Sequence, residues 1–210
     1  DEQIKEFANL RLFSSHQIKK ESYEPFISPS LSSDTFKDVG EQAIKKNKAT
    51  AVLLAGGDGT RLGFEGPKGC FPITKRPFKT LFHLHCDKIS QMEKDLNISL
   101  SLVVLTSKHN DLPTKEFFRK FSFFGLNPNH VHFLIQPHHP LLTLDKKWFL
   151  NPSKKIATAP NGNGALLGLL KKNLLLFKKE KYFLIGNIDN PLPSLYDPSF
   201  LGHHIKLDAD

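Results

Sequence analysis

Gly56, Gly57 and Gly59, followed by Arg61, Gly63, Pro67 and Lys68, stand directly after the apolar run Val52, Leu53, Leu54 in the stretch AVLLAGGDGTRLGFEGPKG. Glycines let backbone N–H groups approach an anion with no Cβ in the way, and an Arg and a Lys supply charge that a neutral loop lacks. A buried strand that empties into such a loop is suited to hold phosphate, and with it a nucleotide. The common phosphate fingerprints do not fit. GxxxxGK[ST] is absent, and GxGxxG fails because Leu62 stands where the third Gly belongs after Gly57 and Gly59. The plain alternative is a glycine-rich strand-to-helix turn with no ligand, against which Arg61 and the PKG tripeptide speak.

Three further places carry chemistry. Gln136 closes the apolar run that starts at Val131, at the end where open α/β sheets collect ligands, and its amide both donates and accepts, as reading the edge of a base requires. A surface glutamine before Pro137 is the alternative. Asn161, Gly162, Asn163 and Gly164 open a leucine-rich run, either as a helix cap or as a helix start whose free N–H groups and Asn amide face a ligand. Asp189 ends the run Tyr182–Ile188, where a carboxylate can ligate Mg²⁺ beside phosphates or simply form a turn before Pro191.

The elements that must position these residues follow from periodicity. Strands are expected near Val52–Leu54, Leu100–Leu105, Val131–Gln136 and Tyr182–Ile188. Helices are expected over Thr80–Lys94, Pro113–Phe124 and the leucine-rich run after Gly164. Phe117, Phe118, Phe121 and Phe124 have the spacing of a helix face pressed on a sheet and read as core. His83, His85 and Cys86 are too close on one helix to converge on zinc, and packing explains them better. Asp145–Lys155, with Trp148, reads as a polar surface excursion. In residues 1–48, Ile4, Phe7 and Ala8 make one helical face, Ser28–Ser33 break the pattern, and a second helix is expected over Thr35–Lys48. The alternation of strand, loop and helix gives an α/β domain with a largely parallel central sheet flanked by helices.

The chain has 210 residues, 39% apolar and 24% charged, enough for one full core. Its formal charge of +8 admits nucleic acid, anionic membranes or small polyanions as partners. The lysines fall in short pairs without interleaved aromatics, so neither a nucleic-acid nor a membrane partner is expected. Two cysteines make no disulfide framework, no signal peptide is visible, and the apolar stretch 164–170 falls short of the ~18 residues of a span; the expected location is the cytoplasm. The first residue is Asp and the last motif is cut, so a piece of a longer protein is expected.

The string LAGGDGTRLG followed by PKG resembles the signature loop of the UDP-sugar pyrophosphorylases, most closely their UDP-N-acetylglucosamine and UDP-sugar branch. LTSKHN with KEFFRKFSFFGL, then VHFLIQ, APNGNGALL and IGNIDNPL with DPSFLGHHI extend the resemblance in order over residues 49–210. It implies a Rossmann-like, GT-A-like nucleotidyltransferase fold, with 49–210 its nucleotide-binding part; residues 1–48, where the resemblance fades, are expected to form an N-terminal helical extension. It also implies transfer of a uridylyl group from UTP to a hexose 1-phosphate with Mg²⁺, making a UDP-sugar and pyrophosphate. By resemblance Leu54, Ala55, Gly56 and Gly57 grip the nucleotide, Gln136 and the Gly162 backbone contact uracil, and Asn163 contacts the sugar. Arg61 and Lys68 are the implied catalytic cations, and Asp189 is the implied metal ligand at the nucleotide. The family more often has Asp at Asn161 and Gly at Ala165, which affects loop shape. Further sugar-pocket residues and a second metal-binding acid are expected beyond residue 210, so the chain alone is expected to bind nucleotide with little turnover. The alternatives are a non-catalytic nucleotide-sugar-binding or regulatory module and a nicotinamide dehydrogenase, the latter lacking its acidic residue some 20 positions after the loop.

Overall fold

β1 forms where the sequence alternates small and branched residues without a charge, and it is the strand on which the sheet is laid. The computed structural model describes residues 34–208. The expected features at Ile4, Phe7, Ala8 and Ser28–Ser33 lie outside the described residues. The chain runs through α1 (Asp34–Lys45), β1 (Ala49–Leu54), β2 (Pro72–Lys75), β3 (Phe78–Thr80), α2 (Leu81–Leu96), β4 (Leu102–Thr106), α3 (Asp111–Lys120) and β5 (Val131–Ile135). It continues through β6 (His138–Pro140), β7 (Thr158–Pro160), α4 (Ala165–Lys172), β8 (Tyr182–Asn187) and α5 (Pro198–Lys206), with single 3-10 turns between.

The sheet has the order β5-β4-β1-β8 and all its pairs are parallel. Ala51 pairs with Leu102 on one side and Leu184 on the other, so β1 is enclosed. Both faces are covered, which is why β1 and β4 are apolar apart from Thr50 and Thr106 instead of alternating with polar residues. Ala51, Leu53, Leu102 and Val104 face a cluster with Phe82, Ile89, Phe118 and Leu201; Val52, Val103 and Leu105 face Leu166, Leu170 and Phe177. Tyr196 is fully buried and ties the sheet from beneath: its hydroxyl donates to Ser101 O at 2.7 Å and accepts from Ala51 N at 3.2 Å.

α1 packs on α5 where Gly40 and Gly202 meet. A Cβ on Gly40 would strike the Pro198 carbonyl, and one on Gly202 would strike the Phe36 carbonyl, so the two backbones touch only because both residues are glycine. Thr80 caps α2, accepting from His83 N while donating its own N–H to His83 Nδ1, so the expected Thr80–Lys94 helix starts one residue later. Asn97, left-handed at φ 52°, ends it.

The phenylalanine helix is shorter than its periodicity predicts. α3 stops at Lys120, and Ser122, Phe123 and Phe124 are left-handed at φ 48°, 53° and 57°. The turn folds Phe123 and Phe124 back on Phe118, so these rings reach the core without continuing the helix. The expected excursion around Asp145–Lys155 forms a ribbon: β6 pairs with β7, and Leu142 bridges Trp148. α4 forms after Gly164, but no side chain caps it; the Asn163 carbonyl accepts from Leu166 N instead. Among the described residues no helix is long and apolar enough to cross a membrane.

Candidate functional site

The carboxyl end of β1 lies between those of β4 and β8, and the glycine loop leaves from it. Ala55 N donates to Leu105 O at 2.9 Å on the β4 side, and Ile188 N donates to Leu54 O at 3.1 Å on the β8 side. Lys68 N then bonds Gly57 O at 3.1 Å and Gly59 N bonds Gly66 O at 2.9 Å, so residues 57–68 return on themselves. Gly63 at φ 66° and Gly66 at φ 133° allow that return.

Lys68 and Asp189 meet at the loop. The Lys68 ammonium is 3.1 Å from each carboxylate oxygen of Asp189, and a Cβ on Gly57 would sit 3.9 Å from the same nitrogen. Lys68 is 20% exposed and Asp189 59%, so the pair opens to solvent above the loop. α2 braces the segment carrying Asp189. His85 Nε2 donates to Ile188 O at 3.2 Å, and Lys88 Nζ donates to the carbonyls of Pro191, at 2.5 Å, and Leu192. Burial holds the His85 imidazole below its ordinary value, opposed by the bond to Ile188, so it serves as a neutral donor.

Gln136 meets Gly56. The side chain is 6% exposed, and a Cβ on Gly56 would collide with its amide nitrogen. The backbone N–H of Gln136 bonds Thr106 O at 2.9 Å, while its carboxamide has no hydrogen-bond partner among the described residues. A buried amide with open donor and acceptor sites is suited to the edge of a base.

The turn from β4 into α3 grips the loop from the other side. Asn110 is 1% exposed; its Nδ2 lies 3.3 Å from both Ala55 O and Gly57 O, and its Oδ1 accepts from Ser107 N at 2.7 Å. His109 Nε2 is 2.5 Å from Asp58 Oδ2. Thr106 Oγ1 donates to Asp111 Oδ1 at 2.7 Å beneath this turn.

Of the residues singled out in the sequence, the structure brings together Gly57, Lys68 and Asp189, and brings Gln136 against Gly56. Leu54 and Ala55 form the loop's root. Arg61 lies in the 3-10 turn Thr60–Leu62, exposed and without a hydrogen bond or ion pair to any described residue. Gly162, at φ 73° with open space about it, and exposed Asn163 make no side-chain hydrogen bond to that cluster. Asn110, His109, His85 and Lys88 were not singled out as site residues; an Asn just before a helix after a buried strand was the available signal for Asn110.

His83, His85 and Cys86 take separate roles: His83 packs on Phe121 and Phe124, His85 bonds the Ile188 carbonyl, and Cys86 is buried. Among the described residues no group of three His, Cys, Asp or Glu side chains converges. A hard cation at Asp189 would therefore take one protein carboxylate, with phosphate oxygens and water completing its shell. That donor set suits Mg²⁺, which keeps waters and binds through one or two carboxylates plus phosphate.

Residues 5–210 match the profile of the family described as UTP–glucose-1-phosphate uridylyltransferase. The chain is 33% identical to the UDP-N-acetylglucosamine pyrophosphorylase of Saccharomyces cerevisiae over 193 residues, covering 88% of this chain and 40% of that protein. It is 35% identical to the human UDP-N-acetylhexosamine pyrophosphorylase-like protein 1 over 185 residues, covering 83% of this chain and 36% of that protein. It thus spans about two fifths of the curated relatives it matches. The crystal structure of the uridine diphosphate N-acetylglucosamine pyrophosphorylase from Trypanosoma brucei superposes with a TM-score of 0.77 at 35% identity, covering 83% of this chain and 38% of that one. The parallel sheet with helices on both faces is the α/β nucleotidyltransferase fold of these structures. With the profile matching nearly the whole chain and relatives above 30% identity, the chain belongs to the UTP–glucose-1-phosphate uridylyltransferase family.

Proposed function

We propose that the protein transfers a uridylyl group from UTP to a hexose 1-phosphate, releasing pyrophosphate and forming a UDP-sugar. The observation that carries this reading is the convergence of Lys68 on Gly57 and Asp189, with the open carboxamide of Gln136 against Gly56, at the ends of neighbouring parallel strands. A phosphate oxygen of the sugar 1-phosphate forms a bond to the α-phosphorus of UTP as the bond to the pyrophosphate oxygen breaks. No covalent enzyme intermediate is needed, so the chain's task is to position reactants and offset charge.

Lys68, above the Gly57 backbone, is placed to neutralise charge on the phosphates, and Arg61 is the second cation, free to turn toward them. Gln136 and the Gly162 backbone would read uracil, with Asn163 on the sugar side. Asp189 would hold Mg²⁺, which would supply positive charge that offsets the charge on the phosphates. Residues 49–210 are the proposed nucleotide-binding part, preceded by an N-terminal extension whose helix α1 docks on α5. The ligands are UTP and a hexose 1-phosphate, or UDP-sugar and pyrophosphate in reverse; no nucleic-acid or membrane partner is invoked. Cys70 and Cys86 are buried free thiols, the Cys70 thiol pushed up to about 12 by burial, and they fit the reducing cytoplasm proposed as the location.

The test is pyrophosphate release by the full-length protein that carries this chain, with UTP, Mg²⁺ and a panel of sugar 1-phosphates, and with ATP and CTP as controls. N-acetylglucosamine 1-phosphate comes first because the yeast and trypanosomal relatives are named for that sugar. UTP-dependent release supports the reading. Saturable UTP binding with no release for any sugar would overturn it in favour of a binding module.

A further inference from the structure

Asp58 is an acid inside a loop otherwise built to receive phosphate. An unbonded carboxylate there would repel the anion that Gly57 and Lys68 attract. The structure shows both of its oxygens occupied: Oδ2 lies 2.5 Å from His109 Nε2, and Oδ1 lies 3.5 Å from Asn110 Nδ2. Asn110 Nδ2 also lies within 3.3 Å of the Ala55 and Gly57 carbonyls, so the same amide faces the loop's backbone and its acid.

The direction of these contacts matters. In the order β5-β4-β1-β8, the strands flanking β1 are β4 and β8. His109 and Asn110 reach the loop from the β4 side, whereas Lys68 reaches Asp189, which follows β8. Asp58 is thus held from the β4 side, while the Lys68 ammonium is engaged on the β8 side. Ser107 Oγ lies 3.4 Å from His109 Nδ1, which completes a series of serine, histidine and aspartate. That series is not a nucleophilic triad, because Ser107 is fully buried and no substrate can reach its hydroxyl. It orients the imidazole so that Nε2–H faces Asp58.

We propose that His109 and Asn110 are positioning residues that latch the nucleotide loop and turn Asp58 away from its phosphate-receiving side. This inference rests on the reading of the loop as a UTP site. The latch contributes to nucleotide affinity without touching the nucleotide, by keeping the Asp58 carboxylate turned off the loop's phosphate-receiving side.

The test combines UTP binding by calorimetry in the presence of Mg²⁺ with hydrogen exchange of the loop amides, on the full chain and on His109→Ala, Asp58→Asn and the double variant. His109→Ala is expected to weaken UTP binding about tenfold, the scale of one hydrogen bond to a charged group, and to speed exchange of the loop amides. Asp58→Asn is expected to bind UTP at least as tightly as the parent, and adding it to His109→Ala should recover most of the loss. Equal UTP binding by His109→Ala and the parent would overturn the latch. So would a double variant as weak as His109→Ala, which would make the loss structural. Should His109→Ala fail to fold, Asp58→Asn decides alone: a tenfold loss there overturns the proposal, and unchanged or tighter binding supports it. A parent chain that binds no UTP would overturn the site reading itself, while the exchange rates would still show whether the loop is latched: faster exchange in His109→Ala supports the latch, and unchanged exchange overturns it.

Discussion

Replacing Lys68 by Ala separates a catalytic cation from a structural one. In the structure the ammonium holds both oxygens of Asp189 at 3.1 Å, but Asp189 is 59% exposed, so its carboxylate rehydrates when the partner is removed. The pair is then worth no more to folding than other solvent-reached ion pairs, at most about 1 kcal/mol, a melting shift of roughly 2–4 °C for a chain of this size. Its proposed role toward the phosphates is worth more. Removing one preorganised charge from a transition state costs about 2–4 kcal/mol, which slows turnover roughly 30- to 900-fold. The assay is pyrophosphate release at saturating UTP and sugar 1-phosphate, with thermal denaturation of the same preparations. Lys68→Arg should retain part of the activity, since charge is kept while the point-like ammonium is lost. Full turnover by Lys68→Ala, or a loss explained by unfolding at the assay temperature, would refute the reasoning.

Gly56→Ala puts a methyl group into the Gln136 amide, so UTP binding should fall sharply while Gly63→Ala, far from Gln136, is limited to backbone strain; comparing UTP titrations of the two checks it. Gln136→Leu should erase most of the preference for UTP over CTP, measured by competition, because an apolar side chain offers neither donor nor acceptor. Tyr196→Phe removes a hydroxyl that bonds Ser101 and Ala51, but Ala51 N still donates to Ser101 O at 3.1 Å, so it should cost about 0.5–1.5 kcal/mol in urea denaturation without altering nucleotide affinity. His83, His85 and His132 are each held below the ordinary imidazole value by burial. The unfolded chain therefore takes up protons first, and stability should be full above about pH 6.5 and decline as pH falls toward the depressed values. Urea midpoints at about pH 7.5 and about pH 5.5 test this, and His132→Gln should flatten the slope.

The strand and glycine loop were legible in the sequence because local chemistry dictates both: an uninterrupted apolar run, then residues that only a tight, open backbone requires. The order of elements followed from the same periodicity. The end of α3 was not legible, since Phe121 and Phe124 keep helical spacing while the backbone at Ser122–Phe124 turns left-handed. Packing of the rings on Phe118 compensates for a conformation that propensity disfavours. Lys68 and Asp189 were legible as separate residues, yet their contact depends on β8 pairing beside β1, which no spacing within either motif encodes. Asn110 and His109 stayed hidden for the same reason. Their partners are loop carbonyls and a carboxylate more than 50 positions upstream, close only because β4 lies beside β1.

The position of β8 next to β1 also dictates when the site comes into being. Lys68 and Asp189 are 121 residues apart along the chain, and the strand pair that unites them closes most of the described polypeptide into one loop. Such long-range closure is entropically costly and slow compared with the local β4–β5 pairing. A growing chain that has made Lys68 but not yet Tyr182 carries the glycine loop with no carboxylate opposite it. Nucleotide that depends on the completed pair then stabilises the finished fold and none of its precursors, by RT ln(1 + [L]/Kd). Affinity at the proposed nucleotide site would thereby report the β1–β8 closure of the fold.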